Sequence, residues 1–193
     1  MKRHNGLSFY QKKRTISNER IVEAASWLFV AVLAVGLAYV SVFAWGMKTS
    51  VIGSSMSPSL TNGQEVLIDR IVYNVFEPKS GDVIVFRPNG NQNAHTYVKR
   101  VVGTPGDKIL ISGGVLYLNG DPQKDLFSDS IEDAGVAEQE ITVGEDEFFV
   151  MGDNCNSSED SRNANIGNVR KSTIIGKAWL HMAGGSEGIG VIK

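Results

Sequence analysis

Cysteine is nearly missing from this chain: Cys155 is the only one in 193 residues. A lone thiol has no partner within the chain, so no disulfide framework holds the fold together. A dominant charge is missing too. Nineteen Lys and Arg stand against 21 Asp and Glu, a formal net charge of −2 that gives no sign of nucleic-acid binding. Low-complexity tracts are absent and 42% of the residues are hydrophobic, which excludes a disordered chain. Histidine is scarce, with His4, His95 and His181 the full set. No Walker loop, H-E-x-x-H pair, CxxC or G-x-S-x-G elbow occurs, so nothing indicates a metal site or a cofactor. What is plentiful is glycine, 21 residues or about 11% where roughly 7% is usual, which points to a turn-rich fold.

One long apolar run organises the chain. Ala24 to Met47 is a stretch of 24 residues without a charge, enough to cross a bilayer as a helix. Trp27 and Trp45 are 18 residues apart, about 27 Å along a helix, and read as interfacial belts. A cleavable signal would have a shorter apolar core of roughly 7 to 15 residues. Ahead of the run, Lys2, Arg3, Lys12, Lys13, Arg14 and Arg20 face only Glu19 and Glu23, so residues 1–23 carry about +4. The positive-inside rule keeps that tail in the cytoplasm. The expected organisation is a basic cytoplasmic tail (1–23), a transmembrane anchor (24–47) and an extracytoplasmic domain (48–193) with 13 basic and 19 acidic residues.

After Lys48 the pattern changes to short β-type runs. EVLID (65–69), DVIVF (82–86), YVKRVV (97–102), KILI (108–111), VLYL (115–118), EFFVM (147–151) and IIGKAWL (174–180) have strand length and composition. Ser112-Gly113-Gly114 connects KILI and VLYL as a hairpin, and no helical period of ten or more residues appears. The expected fold is mainly β and antiparallel, behind one transmembrane helix. Residues 121–140, rich in Asp and Glu, read as an exposed loop or small excursion, and Gly184–Gly188 as a mobile end.

The histidines do not support a Ser-His-Asp triad. His4 lies on the cytoplasmic side of the anchor, His95 reads as a solvated loop residue and His181 as a strand edge. There remains a serine served by a lysine. Gly53-Ser54-Ser55-Met56-Ser57-Pro58-Ser59-Leu60 and Tyr97-Val98-Lys99-Arg100-Val101-Val102-Gly103-Thr104-Pro105-Gly106-Asp107 are followed by Gly152-Asp153-Asn154, Ser158, Asp160, Ser161 and Arg162, with Pro78 to Phe86 between the first two. In this order, behind an N-terminal anchor, the four segments resemble the boxes of type I signal peptidases, membrane-bound Ser/Lys proteases that remove signal peptides from exported proteins. The resemblance, to the single-anchor form, covers most of 24–180.

That resemblance implies Ser55 as nucleophile and Lys99 as general base, with Ser158 orienting the lysine amine. It makes the Ser55 backbone N–H one oxyanion donor. Many relatives have a second serine hydroxyl where this chain has Gly53, so the other donor is left open. Met56, Pro58, Asp153, Asp160 and Arg162 take substrate-binding or structural parts. Cys155 stands where relatives commonly carry a basic residue. The implied partners are secretory preproteins and the lipid bilayer, with no nucleic acid, and the implied protein is a monomer of the cell membrane.

The chemistry sets a condition. A lysine activates a serine only when neutral, and at an ordinary pKa of 10.4 neutrality at pH 7 costs about 4.6 kcal/mol. Burial lowers a lysine by about 3 to 5 units, which is the size required. Alternation puts Lys99 on one strand face with Tyr97 and Val101 and turns Arg100 to the other. The plain alternative makes Lys99 and Arg100 surface charges on an edge strand. Ser55 follows Trp45 by ten residues, at most about 35 Å of extended chain, so the site stays close to the bilayer. Small residues at the first and third positions before the cut are implied by the resemblance. Two other readings are a self-cleaving Ser/Lys peptidase of the repressor type and a non-catalytic tethered β domain that binds exported chains.

Overall fold

The computed structural model describes residues 18–90, 95–182 and 188–192. His4, most of the basic tail and most of the glycine-rich end lie outside these residues, as does the Trp45 side chain. The chain divides into two compact units, Met1–Val40 and Ser41–Lys193.

Helix α1 spans Asn18–Trp45, 28 residues or about 42 Å. Its apolar residues are not buried: Leu28, Phe29, Val35 and Phe43 are each about two-thirds exposed or more. Asn18–Phe43 is long and apolar enough to cross a membrane. The helix starts ahead of Ala24 because nothing in Asn18–Glu23 breaks it, and Glu19 sits favourably in the first turn. It also stops before the end of the uncharged run. Met47, read as part of the anchor, is in strand β1.

The second unit holds β1 (Met47–Ser50), β2 (Glu65–Asp69), a one-turn helix α2 (Val72–Val75), β3 (Val83–Phe86), β4 (Tyr97–Gly103), β5 (Lys108–Ser112) and β6 (Val115–Leu118). It continues with β7 (Asp121–Pro122), β8 (Ile141–Thr142), β9 (Glu147–Met151), β10 (Val169–Arg170), β11 (Ile174–His181) and β12 (Gly190–Val191). The large sheet runs β1-β2-β11-β3-β4-β9-β10, with β12 on β11, and a smaller sheet runs β7-β6-β5-β8. Every pairing is antiparallel. The large sheet curls until β1 lies beside the entry to β4, where the Thr49 and Thr96 hydroxyls hydrogen-bond at 3.1 Å.

Both faces of the central strands are buried. Along β3, Val83 and Val85 join Met56, Leu60, Val66 and Val98 in one apolar cluster, while Ile84 and Phe86 join Val101, Phe148 and Val150 in another. That explains why DVIVF reads as a continuous hydrophobic run rather than an alternating one. A third cluster, with Ile109, Leu116, Phe149 and Met151, fixes the smaller sheet. The stretch 121–140 is more tightly held than an exposed loop. It forms β7 and a 3-10 turn at Gly135–Glu138, and it buries Ile131 and Ala137 against the third cluster.

The seam between β2 and β11 is close enough to exclude a side chain. A Cβ on Gly176 would strike the Asp69 carbonyl oxygen and come within 2.8 Å of Ile68 Cγ2. Gly176→Ala should therefore destabilise the domain by roughly 1–3 kcal/mol. Thermal unfolding in detergent measures it, and an unchanged midpoint would contradict the closeness of this seam.

Candidate active site

Ser55 stands in the 51–64 connection between β1 and β2. The connection is rigid because its apolar residues are core residues: Val51, Met56 and Leu60 are buried in the same cluster as Val66. Backbone bonds close it, from Val51 N–H to Gln64 O at 2.9 Å and from Leu60 N–H to Met56 O at 2.8 Å. Burying Met56 leaves Ser55 half-buried at the mouth. Gly53, at φ 87°, supplies the left-handed turn ahead of it. The Gly53 N–H donates to Asn62 Oδ1 at 2.9 Å. No acceptor among the described residues takes the Ser55 N–H.

Lys99 comes from the middle of β4, paired across the strand with Ile84, and is 3% exposed. Its amine lies 5.7 Å from the centre of the Tyr97 ring. No carboxylate among the described residues forms an ion pair with it. Burial is the main cause that brings its pKa down from 10.5 to about 8, while Asp160, Glu159 and Asp153 pull upward and Arg162 downward. Arg100 is treated in the opposite way. Turned to the other face, it gives Nε to Asp153 Oδ1 at 2.7 Å and a second nitrogen to Oδ2 at 2.6 Å, plus a bond to Gly81 O at 2.9 Å. A bidentate partner lets a guanidinium be buried with its charge intact.

The loop 152–162 packs on both. Asn154 ties it to the serine connection, its N–H donating to Ser55 O at 3.0 Å and its Nδ2 to Ser54 O at 3.3 Å. A Cβ on Gly152 would collide with the Ser55 carbonyl oxygen and with Ser158 Oγ, so the two serine-bearing segments meet at this glycine. Asp160 accepts from the Gly152 N–H at 3.1 Å and pairs with Arg162 at 2.9 Å, both buried. Arg162 also donates to the Cys155 carbonyl and, at 2.9 Å, to Asp133 O. Asn156 bonds the backbone of Ser130 and Glu132. The acidic excursion thus clamps the loop that bears Ser158. Cys155 is buried and its thiol is pushed up by burial, so it is held as a thiol rather than a thiolate.

Ser55 and Lys99 line one groove of about 580 Å³, with Ile52, Gly53, Tyr97 and Glu159 among the other walls. Exposed His95 lines its outer part. Met56 is core, fully buried, and Pro58 is exposed. Ser158 faces a separate cavity of about 200 Å³ beside Cys155 and Arg162. Its buried hydroxyl has no hydrogen-bond partner among the described residues, so the bond from Ser158 to the lysine amine is not made in this conformation. Two features escape a reading of the sequence: the clamp from 129–136, and a bond from Tyr97 Oη to Glu159 Oε2 at 3.0 Å. Only the neighbouring positions of Ser158 and Glu159 hint at the latter. The groove offers a hydroxyl, an amine half-deprotonated near pH 8 and an unengaged backbone N–H, the groups that acyl transfer by a serine needs.

Comparison with known proteins shows the family of the chain. Residues 23–183 match the family model described as signal peptidase, peptidase S26. A signal peptidase I from Leptolyngbya laminosa is 32% identical over 168 residues, 81% of this chain and 80% of its own. A signal peptidase I P from Bacillus subtilis subsp. natto is 32% identical over 176 residues, 87% of this chain and 91% of its own. A solved signal peptidase I from Enterococcus faecalis V583, 26% identical, covers 53% of this chain and 97% of its own at a TM-score of 0.39, too loose a superposition to speak for the fold. The chain belongs to the signal peptidase family, peptidase S26, and is a serine endopeptidase.

Proposed function

We propose that this chain is a membrane-anchored peptidase that removes signal peptides from exported preproteins, with Ser55 as nucleophile and neutral Lys99 as its base. The observation that carries the reading is the shared groove of Ser55 and a buried lysine that has no ion pair among the described residues. In this mechanism Ser55 Oγ attacks the scissile carbonyl and its proton passes to the Lys99 amine. The Ser55 N–H receives the developing oxyanion. The lysine ammonium returns the proton to the departing amine, and water, deprotonated by the same lysine, then hydrolyses the acyl-enzyme. With the pKa near 8, about a tenth of the enzyme is ready at pH 7, a cost of about 1.4 kcal/mol instead of 4.6. The unpartnered Ser158 hydroxyl gains an acceptor if the amine turns toward it, which fits its part as positioning residue. Helix α1 supplies the membrane anchor, and its tether keeps the groove within reach of substrates still held in the bilayer by their own apolar segment.

Cleavage of a test precursor by the detergent-solubilised protein, with N-terminal sequencing of the product, checks the reaction. Cutting after small residues, abolished by Ser55→Ala, is the expected result; processing that survives Ser55→Ala would end the catalytic reading. The pH dependence follows from the lysine. Because the base is active when unprotonated, kcat/KM should rise about tenfold per pH unit below 8 and level off above it. A profile flat from pH 5 to 10 would exclude a neutral-lysine base.

Stability must move with the same group. Between about pH 8 and 10.5 the unfolded chain holds the Lys99 proton while the folded chain has released it, so the lysine's penalty is full below 8 and vanishes above 10.5. Lys99→Met should therefore be inactive yet more stable below pH 8, by up to roughly 3 kcal/mol. Its advantage over the wild type should shrink as pH rises. Melting curves of both proteins at pH 6.5 and 10 measure this, and an advantage independent of pH would disprove the titration.

A further inference from the structure

Glu159 is exposed, and its Oε2 accepts the Tyr97 hydroxyl at 3.0 Å. Tyr97 belongs to the same strand face as Lys99, so this bond ties the carboxylate to the wall of the groove that holds Ser55. No Lys or Arg among the described residues forms an ion pair with it. The other titratable groups lining the groove are buried Lys99, Tyr97 and His95, so among the described residues Glu159 is its one acidic side chain. Burial and the neighbouring carboxylate both hold the Tyr97 phenol above its ordinary range, which keeps it a donor. The hydroxyl occupies one oxygen of the carboxylate, and no hydrogen bond to the other is found among the described residues.

We propose that Glu159, held by Tyr97, is a specificity-determining residue that favours a Lys or Arg side chain at one position close to the cut in the bound chain. The inference rests on the proposed peptidase function and narrows its substrates. An extended chain in the groove passes the fixed carboxylate, and a cationic side chain there gains a charge-assisted hydrogen bond. A carboxylate in the same place meets like charge. An exposed pair of this kind is worth a few-fold in affinity, and partial desolvation on binding raises it.

The test is a peptide series cut by the full-length protein in detergent at pH 8.5. Lys, Gln or Glu is placed in turn at each position from three before to three after the scissile bond. The expected result is one position at which kcat/KM falls in the order Lys, Gln, Glu, with about a fivefold step from Lys to Gln at low salt that shrinks at 0.3 M NaCl. Glu159→Gln should abolish that ordering and Glu159→Lys reverse it. Tyr97→Phe should weaken it with the carboxylate still present. Equal ratios in wild type and Glu159→Gln at every position would overturn the assignment while leaving the peptidase reading intact. Peptides cut equally well by Ser55→Ala, or not cut at all by the wild type, would overturn both.

Discussion

The site depends on one unfavourable act of solvation, the burial of the Lys99 amine without a carboxylate against it. Folding places two cations side by side on β4 and treats them oppositely. Arg100 reaches Asp153 and Gly81 and stays charged; Lys99 points into the apolar face with Ile84 and Tyr97 and loses much of its hold on the proton. The period of two along a strand is the whole cause of that difference. A shift of one residue in the register between β3 and β4 would exchange the two faces, turning the lysine toward Asp153 and leaving the arginine buried without its carboxylate. Register here is specified by the flanking residues, since Phe86 and Tyr97 meet edge to face at 5.9 Å and Val83 and Val85 fill the other cluster.

Around that strand, two loops are fixed by different means. The serine connection is held from below by apolar plugs, Val51, Met56 and Leu60, so Ser55 inherits the rigidity of the core. The loop with Ser158 has little apolar anchorage and is held by charge, through Asp160 and Arg162, and by the excursion 129–136. Gly152 lets the two loops touch where any side chain would part them. A buried ion pair adds little net stability but defines geometry sharply, because breaking it strands a charge. That suits a loop which, on the proposed mechanism, holds one hydroxyl in place.

Much of this was legible in the residues, and the rest was not for physical reasons. Seven of the eight longer strands stand out because each carries enough β-type residues to declare itself, the exception being β1, whose MKTS does not, and the opposite fates of Lys99 and Arg100 follow from alternation alone. Strands β7, β8, β10 and β12 have two residues each and exist only through their pairing partners, so no local pattern marks them. The same holds for Met47, apolar like the helix before it but drawn into β1 by Ile68. The acidic stretch 121–140 looked loose because its anchors, Ile131 and Ala137, are few and its bonds to the site run through backbone atoms that no side-chain pattern reveals. Tyr97 and Glu159 are 62 residues apart, and their contact appears only once the sheet has curled.

A base for serine faces two demands that pull apart. It must be neutral often enough to act, which favours a low pKa, and it must be basic enough to take a hydroxyl proton, which favours a high one. Burial alone would satisfy only the first. The carboxylates of Asp160, Glu159 and Asp153, each near enough to be felt and none close enough to pair, supply the counterweight and leave the amine near 8. All three lie in the 152–162 loop, so on the proposed mechanism that loop does more than carry Ser158: it sets the strength of the base. Asp153 and Asp160 are themselves tied to Arg100 and Arg162, which fixes their distance from the lysine and limits their pull. Glu159 has no such cation, so a cationic substrate residue binding beside it would cancel part of its field at Lys99. Such a residue would thereby raise the neutral fraction of the amine and weaken it as a base while a substrate is in place, so that recognition and the balance between the two demands draw on the same carboxylate.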